Sequence, residues 1–276
     1  MEIIFNKLSF IENSRSSFEK KYLEDINIVI NQGSIIGFVG DILDIIGKLL
    51  LVVKRPTKGE IKLGDVVIKK TTHIDNINEL RKHIGFINTN SNKRFSEKTV
   101  QKEISNIMKN YDCKTNNVLK HIVDSLKIAG LNESYLERNP VELSEIEQKK
   151  VLLACVMSYN PEVIILDSFM RGMCFREKEY FRKLFLKLKN KYDKTIIVLG
   201  DNLSFLFDFV EKVYVINKGK MVLNGEKDIF YNDKLYKYVD MPKIVEFTKY
   251  AKEQGHNILE YTDIKELIKE LYRNVG

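Results

Sequence analysis

The sequence predicts an α/β protein with antiparallel strands at its start, a helical insert in its middle and a small helical tail. Three observations predict it. The runs IIGFVG, EVIILDS and TIIVLGD are short and almost wholly apolar, as expected of parallel strands buried on both faces. From Ser96 to Tyr159 the spacing of apolar residues turns helical with few breaks, which places a helical insert between two α/β halves. The first run also passes through Gly40 into a second apolar stretch, the layout of a strand, a phosphate loop and a helix.

In chain order, MEIIFNKLSF through DINIVINQGS alternates apolar and polar residues around a polar loop at Asn13 to Ser17 and reads as antiparallel strands. The run through Gly47 and Lys48 to Val53 closes in a Pro-Thr-Lys-Gly turn, and GEIKLGDVVIKK reads as a strand pair about Gly64-Asp65. ELRKHIGFINTN is a helix end running into a strand at His83–Ile87. In the insert, SEKTVQKEISNIMKNY carries apolar residues at Val100, Ile104, Ile107 and Met108, and VLKHIVDSLKIAGL stops at a glycine. After EVIILDS come a helix in REKEYFRKLFLKLKNKY, the strand TIIVLGD, a helix in LSFLFDFVEK, and strands about Lys218-Gly219. Helical segments at Pro242–Gln254 and Asp263–Arg273 finish the chain, so that 237–276 is expected to be a separate extension of a domain spanning 1–236.

A phosphate loop needs glycines that let successive N–H groups converge on phosphate oxygens, a lysine for the β- and γ-phosphates and a hydroxyl for Mg²⁺. With Gly40 as the first glycine of G-x-x-x-x-G-K-[ST], the second glycine is Ile45, the lysine Ile46 and the hydroxyl Gly47. With Gly47-Lys48 as the G-K pair, the first glycine is Ile42 and the hydroxyl Leu49. Neither register supplies the set, and Lys48 fits a solvated lysine as well as a phosphate ligand.

The chain has 276 residues and a hydrophobic fraction of 44%, enough for one large domain and an appendage. No apolar run approaches the roughly 20 residues that span a bilayer, and the start lacks the pattern of a signal peptide. The expected place is the cytoplasm, with membrane contact only through a partner. Cys113, Cys155 and Cys174 are widely spaced and suit a reducing compartment rather than a disulfide framework or zinc site. The net charge of +7 comes from lysines scattered among nearly as many acids, so no nucleic-acid partner is expected.

The order of parts resembles the ATP-binding-cassette (ABC) family over essentially the whole length, and most of all the ATPase subunits of energy-coupling-factor importers of vitamins and transition metals. The resemblance is carried by IIGFVG with KRPTKGEIKLGD, RKHIGFI with FSEKTV, NPVELSEIEQKKVLLACVMSYNPEVIILDS, TIIVLGDN, VYVINKGKMVLNGEKDIF and the tail YVDMPKIVEFTKYAKEQGHNI. It implies a P-loop NTPase core, a mixed sheet with flanking helices and an antiparallel edge subdomain, plus a helical subdomain at about 96–159 and a C-terminal helical extension. It also implies ATP and Mg²⁺ as cofactors, with Gly40, Gly47, Lys48 and Ser144 at nucleotide positions and Asp167 as the Mg²⁺ aspartate. The family's LSGGQ reads Leu143-Ser144-Glu145-Ile146-Glu147 here. Its catalytic glutamate falls on Ser168, its switch histidine on Asp201, its Q-loop glutamine on Thr89, and its adenine-stacking aromatic on Glu12, with Phe10 nearby.

These departures predict impaired or absent hydrolysis, because a missing water-orienting carboxylate or γ-phosphate donor costs orders of magnitude in rate. The resemblance then implies a structural cassette paired with a second ABC ATPase subunit in a heterodimer and with a transmembrane coupling component. Two alternatives stay open: an atypical active ATPase using Lys48, Asp167 and Asp201, and a soluble cassette-derived regulator. Residue by residue, Asp167 at a strand end also fits a turn cap, and Ser144 with Glu147 fits an ordinary capping box.

Overall fold

A computed structural model describes every residue except 15, 75–76, 90–93, 201–205, 207–208, 262–263 and 276. Two sheets organise it. The first runs β2-β1-β4-β5 and is antiparallel throughout, from β1 (Ile3–Glu12), β2 (Lys20–Ile30), β4 (Lys58–Leu63) and β5 (Val66–Ile68). The second runs β10-β9-β3-β8-β7-β6. Its members are β3 (Ile35–Gly40), β6 (Ile84–Asn88), β7 (Val163–Asp167), β8 (Thr195–Leu199), β9 (Lys212–Asn217) and β10 (Lys220–Gly225). All neighbours in it are parallel except the β9–β10 hairpin. Strands β3, β7 and β8 lie inside this sheet with helices or the first sheet against both faces, which is why their sequences are continuous rather than alternating.

Helices α1 (Leu43–Leu50) and α2 (Ile77–Lys82) lie on the side of the first sheet. There Ile45, Ile46, Leu49 and Leu50 of α1 join Phe5, Leu8, Ile28 and Phe38 in one apolar cluster. Tyr214 stacks on Phe38 with ring centres 5.3 Å apart and donates its hydroxyl to Val29 O at 2.7 Å, tying the two sheets together. The other face carries α3 (Val100–Asn110), α4 (Val118–Ile128), α5 (Glu145–Met157) and α6 (Phe175–Tyr192). Thr99 and Asn117 accept hydrogen bonds from Lys102 N and Lys120 N, which start α3 and α4. Helix α6 turns Phe181, Phe185 and Leu188 to the sheet at helical spacing. At the C-terminal end, α7 (Lys243–Glu253) buries Val245, Thr248 and Ala251, and α8 (Ile264–Val275) packs Leu267 against Ala251 and Ile258.

Three local expectations change. The apolar run to Val53 is helical only as far as Leu50, because Val52 turns to φ 53°. The strand expected at His83–Ile87 begins one residue later, at Ile84. The helix expected in LSFLFDFVEK falls largely on residues outside those described; at its end Glu211 N already donates to Ile35 O at 2.8 Å and β9 begins at Lys212. Among the described residues no helix is long and apolar enough to cross a membrane.

Candidate nucleotide site

The link between β3 and α1 is two residues long, Asp41 and Ile42. Gly40 ends β3 at φ 110°, and a Cβ there would run into the carbonyl oxygen of Ile216 on β9. The next N–H, that of Asp41, donates to the same Ile216 O at 3.1 Å, while the Asp41 carboxylate accepts from Lys218 N at 2.8 Å. Ile42 then takes a left-handed conformation at φ 62°, uncommon for a β-branched residue, and α1 starts without a side-chain cap. A phosphate loop holds four residues between its glycines so that their N–H groups can surround an anion. Here the four residues after Gly37 keep that length, but Phe38 to Gly40 are drawn into β3 against its neighbours and the Asp41 N–H goes to β9, which leaves Ile42 alone before the helix.

The predicted nucleotide glycines therefore separate. Gly40 is a place where β3 passes close to β9, and Gly47 lies inside α1, where a Cβ would meet Leu199 and Phe86 side chains at 3.3 and 3.4 Å. Lys48 is half exposed and donates to the Asp44 carboxylate one turn earlier at 2.8 Å, a hydrogen bond that raises its pKa. Asp44 was not anticipated as a site residue, although its spacing to Lys48 was visible in the sequence.

Asp167 ends β7, accepting from Asn88 Nδ2 at 2.9 Å and Ser168 Oγ at 3.1 Å. Burial pushes its carboxyl above the usual range; the Ser168 hydrogen bond opposes this, the Asp44 charge adds to it and Lys48 works against it. Ser168 sits at φ 53°, its N–H donating to Leu199 O at 3.0 Å and its carbonyl accepting from Thr89 Oγ1 at 2.9 Å. Thr89 is buried, so the side chain at the Q-loop position braces β7. Asp201 lies outside the described residues. Mg-ATP does not fit this set. The first turn of α1 carries the Asp44 carboxylate, a negative charge that raises the Asp167 pKa and would repel a phosphate, while Lys48 is held by Asp44 and the Asp41 N–H by Ile216.

At the start of α5 the signature residues form a capping box. Ser144 N donates to Glu147 Oε2 at 3.0 Å, Ser144 Oγ to the same oxygen at 2.6 Å, and Tyr135 OH to Glu147 Oε1 at 2.6 Å. These bonds, the Ser144 hydroxyl's first, hold the Glu147 carboxyl down to about 2. A carboxyl lowered by folding contributes stability above its unfolded pKa of about 4.3 and loses it as pH falls toward the folded value. Glu147→Gln is expected to lower the urea midpoint at pH 7, with the gap to the parent protein closing between about pH 4 and 2. Next to the box, Glu145 pairs with Lys149 at 3.1 Å, and Lys149, 1% exposed, donates to Arg171 O at 2.7 Å. This tie between α5 and the segment after β7 was missed in the sequence; its signal was a lysine four residues after an acid, inside the run QKKVLLACV.

At the adenine position Glu12 pairs with Lys54 at 2.9 Å, and Phe10, 5% exposed, packs on Tyr22 with ring centres 6.0 Å apart. Neither offers a free aromatic face.

The "ABC transporter" family model matches residues 23–170, more than half of the chain. The chain belongs to the ABC transporter family. This cassette is 27% identical over 267 residues to the energy-coupling factor transporter ATP-binding protein EcfA2 of Lactiplantibacillus plantarum, covering 95% of the chain and 90% of that protein. It is 28% identical over 283 residues to the EcfA2 of Clostridium tetani, covering 99% and 97%. Among solved structures the cassette superposes on cbiO1 of Clostridium perfringens, part of the ABC transporter complex cbiONQ. The TM-score is 0.73 at 20% identity, over 90% of this chain and 98% of that one. A dimeric cassette, MJ0796, bound to ADP and Pi, matches with a TM-score of 0.70 at 18% identity over 82% and 98%.

Proposed function

We propose that this cassette is a subunit of an energy-coupling-factor importer that neither holds Mg-ATP in its own phosphate loop nor hydrolyses it, and that it serves as the structural partner of a second cassette and a transmembrane component. The observation that carries the reading is the two-residue link Asp41–Ile42 followed by the Asp44–Lys48 pair. The Asp41 N–H is spent on Ile216 O, and Lys48 is held by an acid of its own helix.

The relatives' description as energy-coupling factor transporter ATP-binding proteins and the dimeric form of MJ0796 support pairing with a second, intact cassette. The protein then sits on the cytoplasmic face through its partners. A hollow of about 240 Å³ beside β6, walled by Phe86, Asn88, Arg94, Tyr111 and Tyr159, suits one or two side chains of a coupling helix of the membrane component lying over it. Tyr111 and Tyr159 stack there with centres 4.0 Å apart, a flat apolar wall for such a helix.

Calorimetry tests the reading. The purified chain titrated with Mg-ATP is expected to give no saturable heat up to about 1 mM, and its ATP turnover is expected to equal buffer with or without Asp167→Asn. Micromolar binding by the chain alone, or turnover abolished by Asp167→Asn, overturns it.

A further inference from the structure

A second cavity shares Ser168 with the candidate nucleotide site but none of Gly40–Lys48, and lies at the carboxyl ends of β7 and β8, the edge at which open parallel sheets receive ligands. Its volume is about 210 Å³. Apolar side chains of Phe169, Met170, Val198 and Leu206 line it, and two cations, Arg171 and Lys178, join them.

The segment Ser168–Gly172 is held rigidly. Arg171 N donates to Ser168 O at 3.1 Å, Lys149 fixes Arg171 O at 2.7 Å, and Phe169 is locked edge-on against Phe181 with centres 4.8 Å apart. With Ser168 at φ 53° and Gly172 at φ 76°, the turn leaves the backbone N–H groups of Phe169, Met170 and Gly172 without an acceptor among the described residues. Phe169 is 1% exposed, so its N–H is also largely shut off from water. Buried N–H groups without partners are rare, and an anion in the cavity would supply an acceptor. The Arg171 guanidinium and the Lys178 ammonium have no carboxylate partner among the described residues. The nearest acid of α5, Glu145, is engaged by Lys149, and Asp167 is hydrogen-bonded by Asn88 and Ser168.

We infer that this cavity binds a small phosphomonoester with an apolar or flat body, the phosphate taken by Arg171, Lys178 and the turn's N–H groups and the body lying on Phe169, Met170 and Val198. A bare inorganic anion would satisfy the donors but leave the apolar wall uncovered, whereas a nucleoside triphosphate exceeds the space. The inference does not depend on whether the cassette hydrolyses ATP.

The test is calorimetry of the full chain with phenyl phosphate and, separately, inorganic phosphate. Phenyl phosphate is expected to bind at least tenfold more tightly, because the ring adds buried apolar area. Arg171→Ala and Lys178→Ala are each expected to weaken it about tenfold, one charge-assisted hydrogen bond, with Lys178→Arg restoring most of the affinity. Both residues lie at the surface, and unchanged thermal midpoints would show the variants folded. No saturable binding of phenyl phosphate, equal affinity for the two probes, or binding indifferent to both alanine variants overturns the proposal. Whether Mg-ATP binds elsewhere in the chain leaves these readings untouched.

Discussion

Gly40→Ala is expected to destabilise the fold by about 3–5 kcal/mol, or to prevent its recovery as soluble protein. Two costs add. At φ 110° an L-residue is strained by roughly 1–3 kcal/mol, and the new methyl meets the Ile216 carbonyl, a backbone group that can yield only by pulling β9 away from β3. Gly47→Ala is the control. Its methyl would meet the ends of the Leu199 and Phe86 side chains at 3.3 and 3.4 Å, and alanine gains about 1 kcal/mol of helix propensity over glycine. Its expected effect is therefore within about 1 kcal/mol of zero. Urea unfolding of the two variants checks both. Equal and small losses would mean that Gly40 is not wedged against β9.

Glu145→Gln is expected to cost about 3 kcal/mol, more than Lys149→Met, although Glu145 is the more exposed partner. Removing the carboxylate leaves the Lys149 ammonium, 1% exposed, with only the Arg171 carbonyl, and an uncompensated buried charge is the costly outcome. Removing the lysine leaves a carboxylate that water can reach and a methionine that fills the space with flexible apolar atoms. The double variant is expected to lie close to Lys149→Met alone, so the two losses are far from additive. Chemical denaturation of all four proteins measures the coupling; additive losses would mean the pair contributes nothing beyond its separate side chains.

The fold was legible where burial dominates the choice of residue. Strands β3, β7 and β8 must be apolar at every position, and α3 and α4 announce themselves by spacing and by Thr99 and Asn117 at their starts. The absence of a complete phosphate motif was legible too, since neither register places a glycine, a lysine and a hydroxyl together. What filled the vacated positions was not. Asp44–Lys48 and Glu145–Lys149 are ion pairs one helical turn apart, a spacing common on any solvated helix. Only the tertiary arrangement tells that one faces Asp167 and that the other has its lysine buried. The end of α1 at Leu50 depends on Val52 adopting a left-handed turn that its side chain disfavours, so local preference gave no warning.

The Asp41–Ile42 link bears on the history open to this chain. The four residues between Gly37 and Ile42 have the length of a phosphate loop, so what differs is their pairing and the side chains around them rather than their number. Side chains at Ile42, Leu43 or Asp44 can be exchanged one at a time, and each exchange can be reversed. A return to nucleotide binding would also require Gly40 and Asp41 to let go of Ile216, so that the strand gives residues back to the loop. For protein engineering the seam between β3 and α1 is a place for substitution without insertion, and for descent the strand pairing acts as a latch.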